Sequence, residues 1–233
     1  MGFIVAVDGP AGSGKGTITK LVGKKRNLVY IDTGAMYRCV ALDCYNNNVD
    51  YTDIKGIESI LDKIDIQLKN EDGLQKVYLN GKDVSEEIRK PYIDEIVAKY
   101  AAIKQVRDKV TPMQQKMGES QDIIMEGRDI CTVVFPNADV KIFLDCSIEE
   151  RARRRYKQDI EKGMSVKYEE ILKEIKERHK LETEREIAPF VKADDAILID
   201  STNMTIEEVV NRVIEIIDEK KSHLVTGPFG DGE

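Results

Sequence analysis

The chain has 233 residues, 41% of them apolar and 34% charged, and a formal net charge of −7. That composition excludes a disordered or fibrous chain, and no run reaches the roughly 18 apolar residues that cross a bilayer. The acidic balance argues against long-range attraction to a nucleic-acid polymer. The first apolar run, "FIVAVD" (3–8), has no basic leader and runs straight into a glycine-rich motif, so no signal peptide is expected. "LVYID" (28–32), "DIIMEG" (122–127), "VKIFLD" (140–145) and "AILID" (196–200) are similar short, nearly continuous apolar runs. Such runs suit strands buried on both faces.

Helical patterns separate most of these runs. They follow Gly14 and the second run, span 147–163 and 168–185, and close the fold from Thr205 to Lys221, with Ser201 or Thr202 in capping range. Strands alternating with helices predict an open parallel α/β sheet with right-handed crossovers. Residues 64–83 break the alternation. Their β-type runs flank Asp72-Gly73, with a second turn signal at Asn80-Gly81, so a small antiparallel insert is expected there. Pro91 then opens two helical stretches, 91–103 and 104–120. The last dozen residues lose helical periodicity and read as a disordered tail, 221–233.

"GPAGSGKGT" (9–17) lies between the first strand and the first helix, the context that validates a phosphate-binding loop. Its glycines let backbone N–H groups curl around phosphate oxygens, and the next helix adds its positive end. Gly9, Pro10, Ala11, Gly12, Ser13, Gly14, Lys15, Gly16 and Thr17 are therefore the candidate ATP-binding residues. Lys15 reaches the β- and γ-phosphates as a point charge. Switch GTPases place a metal-binding hydroxyl straight after this lysine, and here that position is Gly16. Thr17, one step on, is the only candidate metal ligand in the loop, and Mg²⁺ commonly keeps several waters. No guanine-reading stretch follows a later strand. Cys39, Cys44, Cys131 and Cys146 form no CxxC pair, and there are only two histidines, His179 and His223. Reduced buried thiols in a cytoplasmic protein are expected instead of a metal cluster.

"DTGAMYR" (32–38) and "EGRD" (126–129) end the second and third runs at the sheet edge where open α/β folds bind ligands. Arg178, Glu182 and Arg185 are spaced to share one helix face. Any one of these arginines alone reads as a solvated helix face. With Arg38, Arg107 and Arg128 they exceed what one ATP requires, and a second phosphate-bearing substrate accounts for them. A phosphate acceptor is already anionic and needs no general base. An alcohol acceptor would need one, for which Asp32 and Asp129 are the candidates. The competing readings are another small-molecule P-loop kinase and a nucleotide-dependent switch.

Seven stretches together resemble the bacterial cytidylate kinase family: "GPAGSGKGT", "DTGAMYR", "LNGKDVSEEIR", "EGRDICTVVFP", "KIFLDCSIEERARRR", "EIKERHKLETEREIAP" and "ILIDST". The resemblance spans about residues 2–220 and is most specific in "GRD-x-x-TVVFP" (127–136) and in the "LNGKDVSEEIR" insert. It implies a P-loop NTPase-type parallel five-stranded sheet flanked by helices, with a small antiparallel β insert and a short lid. It further implies a single 1–220 domain with a monophosphate-binding region at about 33–105 and a lid at about 150–185. The implied reaction moves the γ-phosphate of ATP to CMP or dCMP, with Mg²⁺, in a cytoplasmic monomer. Thr33, Tyr37, Arg38, Arg107, Arg128, Asp129, Arg178, Glu182 and Arg185 would bind the acceptor. Lys15, Arg128, Asp129, Arg154 and Arg155 would carry catalysis, the last two from the lid. The family usually has Gly at Cys131 and Asp at Glu182, and often Arg at Leu181. The longer Glu182 bears on a sugar-hydroxyl contact and so on the CMP/dCMP preference.

Overall fold

A computed structural model describes residues 2–71 and 74–225. The five apolar runs are all strands: β1 (Ile4–Asp8), β2 (Val29–Asp32), β6 (Ile123–Gly127), β7 (Val140–Asp145) and β8 (Ile197–Asp200). They form one sheet in the order β2-β6-β1-β7-β8, parallel throughout. Alternation along β1 sends Val5 and Val7 to one face and Ile4 and Ala6 to the other, and both faces are covered. Helices α1 (Lys15–Arg26) and α8 (Ile206–Val225) pack on the first face, where Ile18, Val22, Val213 and Ile217 are buried.

A second core lies beside the sheet. It joins α2 (Thr33–Asn46), α3 (Ile54–Leu61), α4 (Pro91–Ala101) and α5 (Lys104–Met117) around Met36, Leu42, Ile57 and Ile93. Between α3 and α4 comes a three-stranded antiparallel sheet, β3 (Ile66–Glu71), β4 (Leu74–Leu79) and β5 (Lys82–Asp83). The expected insert is present with one strand more than a simple hairpin. Asn80 and Gly81 both have positive φ, 50° and 82°, which suits a tight turn matched to the strand twist. The expected turn at Asp72-Gly73 lies outside the described residues. Helices α6 (Ile148–Glu161) and α7 (Tyr168–Glu184) complete the chain between β7 and β8 and pack through Ala152, Ile171 and Ile175.

Two local expectations need correction, and one helix was not expected. The N-terminal cap of α8 is neither Ser201 nor Thr202. Thr205 Oγ1 accepts from Glu208 N (3.2 Å) while Glu208 Oε2 accepts from Thr205 N (2.7 Å), a reciprocal capping box. Ser201 and Thr202 are occupied elsewhere, with Asp145 O and Asp200 Oδ1. Second, α8 continues through Val225 into the segment expected to be a tail. There Lys221 lies 4.6 Å from the centre of the Phe3 ring and 3.5 Å from Asp122, which ties this end of the helix to the sheet. Residues 226–233 lie outside the described residues. The unexpected helix is α3, which Asp53 caps by accepting from Gly56 N at 3.0 Å.

Gln114 on α5 is fully buried, and neither atom of its amide has a hydrogen-bond partner among the described residues. An unsatisfied buried amide costs about 1–3 kcal/mol. Gln114→Met should therefore raise the thermal midpoint by roughly 2–4 °C per kcal/mol regained. A midpoint that falls would mean that an ordered water completes the amide and is lost with it.

Candidate functional site

The central strand β1 leads into the glycine loop at the C-terminal edge of the sheet. The chain leaves β1 for β2 at one border of the sheet, later inserts β6 between them, and then crosses to β7 and β8 on the other side of β1, and this reversal opens a crevice at that edge. Gly12 and Gly14 adopt φ of 81° and 87°, a region that side chains rarely enter, and this folds the loop back toward α1. All nine predicted ATP-binding residues lie in this one turn and the first turn of α1. Lys15 is 6% exposed, and its Nζ donates to Pro10 O at 3.0 Å. Burial, helped by the nearby Arg128 charge, pushes its pKa down to about 7. A phosphate in the loop would offset that penalty. The Ser13 hydroxyl is buried without a hydrogen-bond partner among the described residues. Thr17 is exposed.

Helix α6 braces the loop from outside. Arg154 Nη1 donates to Ser13 O (3.2 Å) and its Nη2 to Ser201 O (2.8 Å). Arg151, 2% exposed, lies against Gly12 and reaches Ala11 O at 3.4 Å. Arg155 points the other way, with its Nη2 3.3 Å from Asp94 Oδ2 and its Nε 2.9 Å from Asp159. The two arginines expected to act together thus serve opposite walls of the crevice.

The acceptor candidates do converge. Thr33, Tyr37, Arg38, Arg107, Arg128, Asp129, Arg178, Glu182 and Arg185 line one pocket, with Asp32 and Glu126 at its edge. Thr33 Oγ1 donates to Glu126 O at 2.7 Å. Arg107 pairs with Asp129 Oδ2, donates to Ala101 O (2.8 Å) and lies over the Tyr37 ring. Glu182 takes Arg128 Nε on one oxygen (2.9 Å) and Arg178 Nε on the other (3.0 Å). Burial would raise its pKa, but Arg128 and Arg178 prevail and hold it at about 2. Both Glu182 oxygens therefore serve arginines. Leu181 is 53% exposed, away from the pocket.

Arg185 does not share the helix face expected for it. The helix ends at Glu184, and Arg185 is extended at the cap (φ −63°, ψ 140°). Its Nε donates to Ala188 O at 2.6 Å, from a loop where Ala188 itself has φ 49°. The side chain is 7% exposed, its Nη2 lies 3.9 Å from Asp129 Oδ1, and that nitrogen has no hydrogen-bond partner among the described residues. Burial, then the Arg107 charge, lowers its pKa.

Four residues of the site are missing from the sequence-based set of roles: Asp8, Asp94, Glu126 and Arg151. Asp8 and Glu126 stand at the C-terminal ends of apolar runs, and that position was the available signal. Asp8 is fully buried; Oδ1 accepts from Ile130 N (2.9 Å) and Oδ2 from Cys131 N (2.8 Å). It caps a π-helical turn, Ile130–Val134, directly after Asp129. Cys131 joins the sheet-face core there, so this departure leaves the capped backbone in place. Asp94 on α4 pairs with Arg38 and Arg155 and lies 3.8 Å from Arg178 Nη1. Nothing in the α4 pattern marked it.

Glu126 is buried beside Lys15 and Asp32, and burial, then the Asp32 charge, raises its pKa. Its Oε1 accepts from Tyr30 Oη at 2.5 Å. Asp32 pairs with Arg89 (2.5 Å) and accepts from Ala35 N at 3.3 Å. The described residues contain no group of three or more metal-ligating side chains. Glu126 and Asp32, completed by water and by the phosphates of a bound nucleotide, would offer oxygen donors of the kind a hard cation takes.

A glycine loop on the central strand, a buried lysine and an arginine-lined acceptor pocket define a P-loop phosphotransferase. The chain belongs to the cytidylate kinase family, whose model matches residues 5–219, and it is accordingly a nucleoside monophosphate kinase. It is 50% identical over 219 residues to a cytidylate kinase of Fusobacterium nucleatum, covering 94% of this chain and 99% of the relative. It is 45% identical over 216 residues to that of Bacillus subtilis, covering 93% and 96%. Its fold is similar to the crystal structure of a gluconokinase from Sinorhizobium meliloti (TM-score 0.50, 11% identity, 97% and 98% covered). Among the described residues no helix is long and apolar enough to cross a membrane, and all four cysteines are free and buried.

Asp8 gives the site a pH signature. Burial first, with Asp129 adding to it, raises its pKa from 3.8 to about 6 against the pull of the two N–H groups. The raised value makes its contribution to stability complete below pH 3.8 and lost as pH rises through 6. The difference is about 3 kcal/mol. Urea unfolding of Asp8→Asn and the parent should therefore diverge by that order between pH 4 and 7, in favour of the variant as pH rises. Parallel profiles would remove the assignment.

Proposed function

We propose that the protein transfers the γ-phosphoryl group of ATP directly and in line to CMP and dCMP, giving ADP and CDP or dCDP. The observation that carries the phosphate-acceptor reading is Arg185: a buried guanidinium fixed at Nε, with Nη2 in the pocket and no hydrogen bond. Burying such a group is costly unless an anion completes it. Arg107 and Arg128 flank the same position, and Arg38 and Arg178 extend it. The cytidine preference follows from the names of the relatives and from the family.

In this reading Lys15 and the loop N–H groups hold the ATP phosphates, and Arg154 keeps the loop in shape. Arg155 and Arg128 face the transferring group from the acceptor side. Catalysis is then positioning and charge neutralisation. An ionised acceptor phosphate needs no proton removed, which agrees with the state of the two candidate bases: Asp129 is engaged by Arg107, and Asp32 by Arg89. The same engagement disfavours an alcohol acceptor. Glu126 and Asp32 are the residues that would hold Mg²⁺ through water, and the bound cation would neutralise phosphate charge. Helices α6 and α7 would act as the lid that excludes water, over the expected 150–185 segment. The free thiols suit a reducing cytoplasm, and a monomer suffices because one chain supplies the whole pocket.

A coupled assay of ADP release with CMP, dCMP, UMP, AMP and dTMP tests the proposal. CMP and dCMP should accelerate release most. No acceleration by any acceptor would overturn the kinase reading, and equal rates with UMP and CMP would overturn the base preference. Lys15→Ala should lower kcat by about 10²–10³-fold without loss of thermal stability, because it removes a buried charge. Arg185→Ala should raise the KM for CMP roughly 10- to 100-fold, the worth of a charge-assisted hydrogen bond, while the KM for ATP changes little. Unchanged acceptor kinetics would make Arg185 a structural residue.

A further inference from the structure

Gly16 stands where other P-loops carry a hydroxyl, and the structure supplies a physical reason. A Cβ added at Gly16 would lie 3.1 Å from Glu126 Oε1 and 3.7 Å from Tyr30 Oη. The space a Ser or Thr side chain would take is therefore already filled by a pair from two other strands. Glu126 ends β6, and Tyr30 lies on β2, which pairs with β6 in parallel register. The Tyr30 hydroxyl donates to Glu126 Oε1 at 2.5 Å.

The ring that carries this hydroxyl is itself held. Lys20 Nζ lies 5.4 Å from its centre on α1, and a Cβ at Gly23 would meet Tyr30 Cβ at 3.7 Å. The phenol is thus wedged between α1 and β6 with its oxygen aimed at one carboxylate oxygen. The other oxygen, Oε2, has no hydrogen-bond partner among the described residues. An apolar ring of the same shape would fill the same space but leave the carboxylate free to turn.

We propose that Tyr30 is a positioning residue: its hydroxyl fixes the Glu126 carboxylate beside Gly16, so that β6 supplies the hard oxygen next to Lys15 that the loop itself lacks. This rests on the reading of Glu126 as a residue that would hold the divalent cation. Partners that orient a metal-facing carboxylate typically change metal affinity 10- to 100-fold when removed.

The test measures Mn²⁺ binding to the protein–ADP complex from the free Mn²⁺ paramagnetic resonance signal, independently of turnover. Tyr30→Phe should weaken Mn²⁺ about 10-fold while metal-free ADP binding and the KM for CMP stay unchanged. Glu126→Gln should weaken Mn²⁺ as well. Tyr30→Phe added to Glu126→Gln should cost less than about twofold more, because its effect passes through that carboxylate. A weakening by Glu126→Gln with none by Tyr30→Phe overturns the positioning role alone. Equal effects of Tyr30→Phe in both backgrounds overturn it too, by assigning Tyr30 to packing. No effect of either variant overturns the cation reading together with the proposal.

Discussion

The crevice is built around a surplus of positive charge that must be held together before any nucleotide arrives. Six guanidiniums, from Arg38, Arg107, Arg128, Arg155, Arg178 and Arg185, face three carboxylates, Asp94, Asp129 and Glu182. Each carboxylate joins arginines from different parts of the chain. Asp94 joins α2 to α6 and α7, Asp129 joins α5 to the end of α7, and Glu182 joins α7 to the loop after β6. These pairings tie α2, α4, α5, α6 and α7 to the loop after β6. They also leave net positive charge, so the site remains attractive to anions. The pKa of Glu182, about 2, records how strongly the arginines dominate there.

The sheet supplies the other fixed element. All five parallel strands finish in or next to an acidic residue at one edge: Asp8, Asp32, Glu126, Asp145 and Asp200. None of these carboxylates is idle. Asp8 takes two N–H groups of the π-helical turn, and Asp32 takes the start of α2. Glu126 takes the Tyr30 hydroxyl, and Asp145 and Asp200 take the turns that follow them. The acids organise backbone at the point where each strand turns into its connection. The loops that carry Lys15, Thr33 and Arg128 are thereby held to one another, because each hangs from a strand whose register the sheet sets.

This division explains what the sequence disclosed. A strand buried on both faces has to be apolar nearly throughout, so all five were legible as runs, and the glycine loop was legible because its chemistry needs glycines in register. The acceptor residues were legible as types, since arginines in excess imply a second anion. Their pairings were not. Asp94 sits on a helix whose residues alternate buried and exposed like any surface helix, and its three arginines come from 56 to 84 positions away in sequence. Arg185 looked helical by spacing, but the helix stops one residue short and Ala188, in a left-handed conformation, turns the guanidinium inward. Such features depend on where the chain stops being regular, and periodicity carries no information about that.

Helix α6 contacts both the glycine loop and the arginine pocket. Successive residues on a helix point about 100° apart, and neighbouring Arg154 and Arg155 reach different walls. Arg154 holds Ser13 O and Ser201 O, while Arg155 reaches Asp94. Arg151, one turn earlier than Arg155, presses on Gly12. A displacement of α6 would therefore disturb the phosphate loop and loosen the acceptor arginines in one movement. The "RARRR" run is consequently two sets of contacts on one helix rather than a single cluster of interchangeable charges.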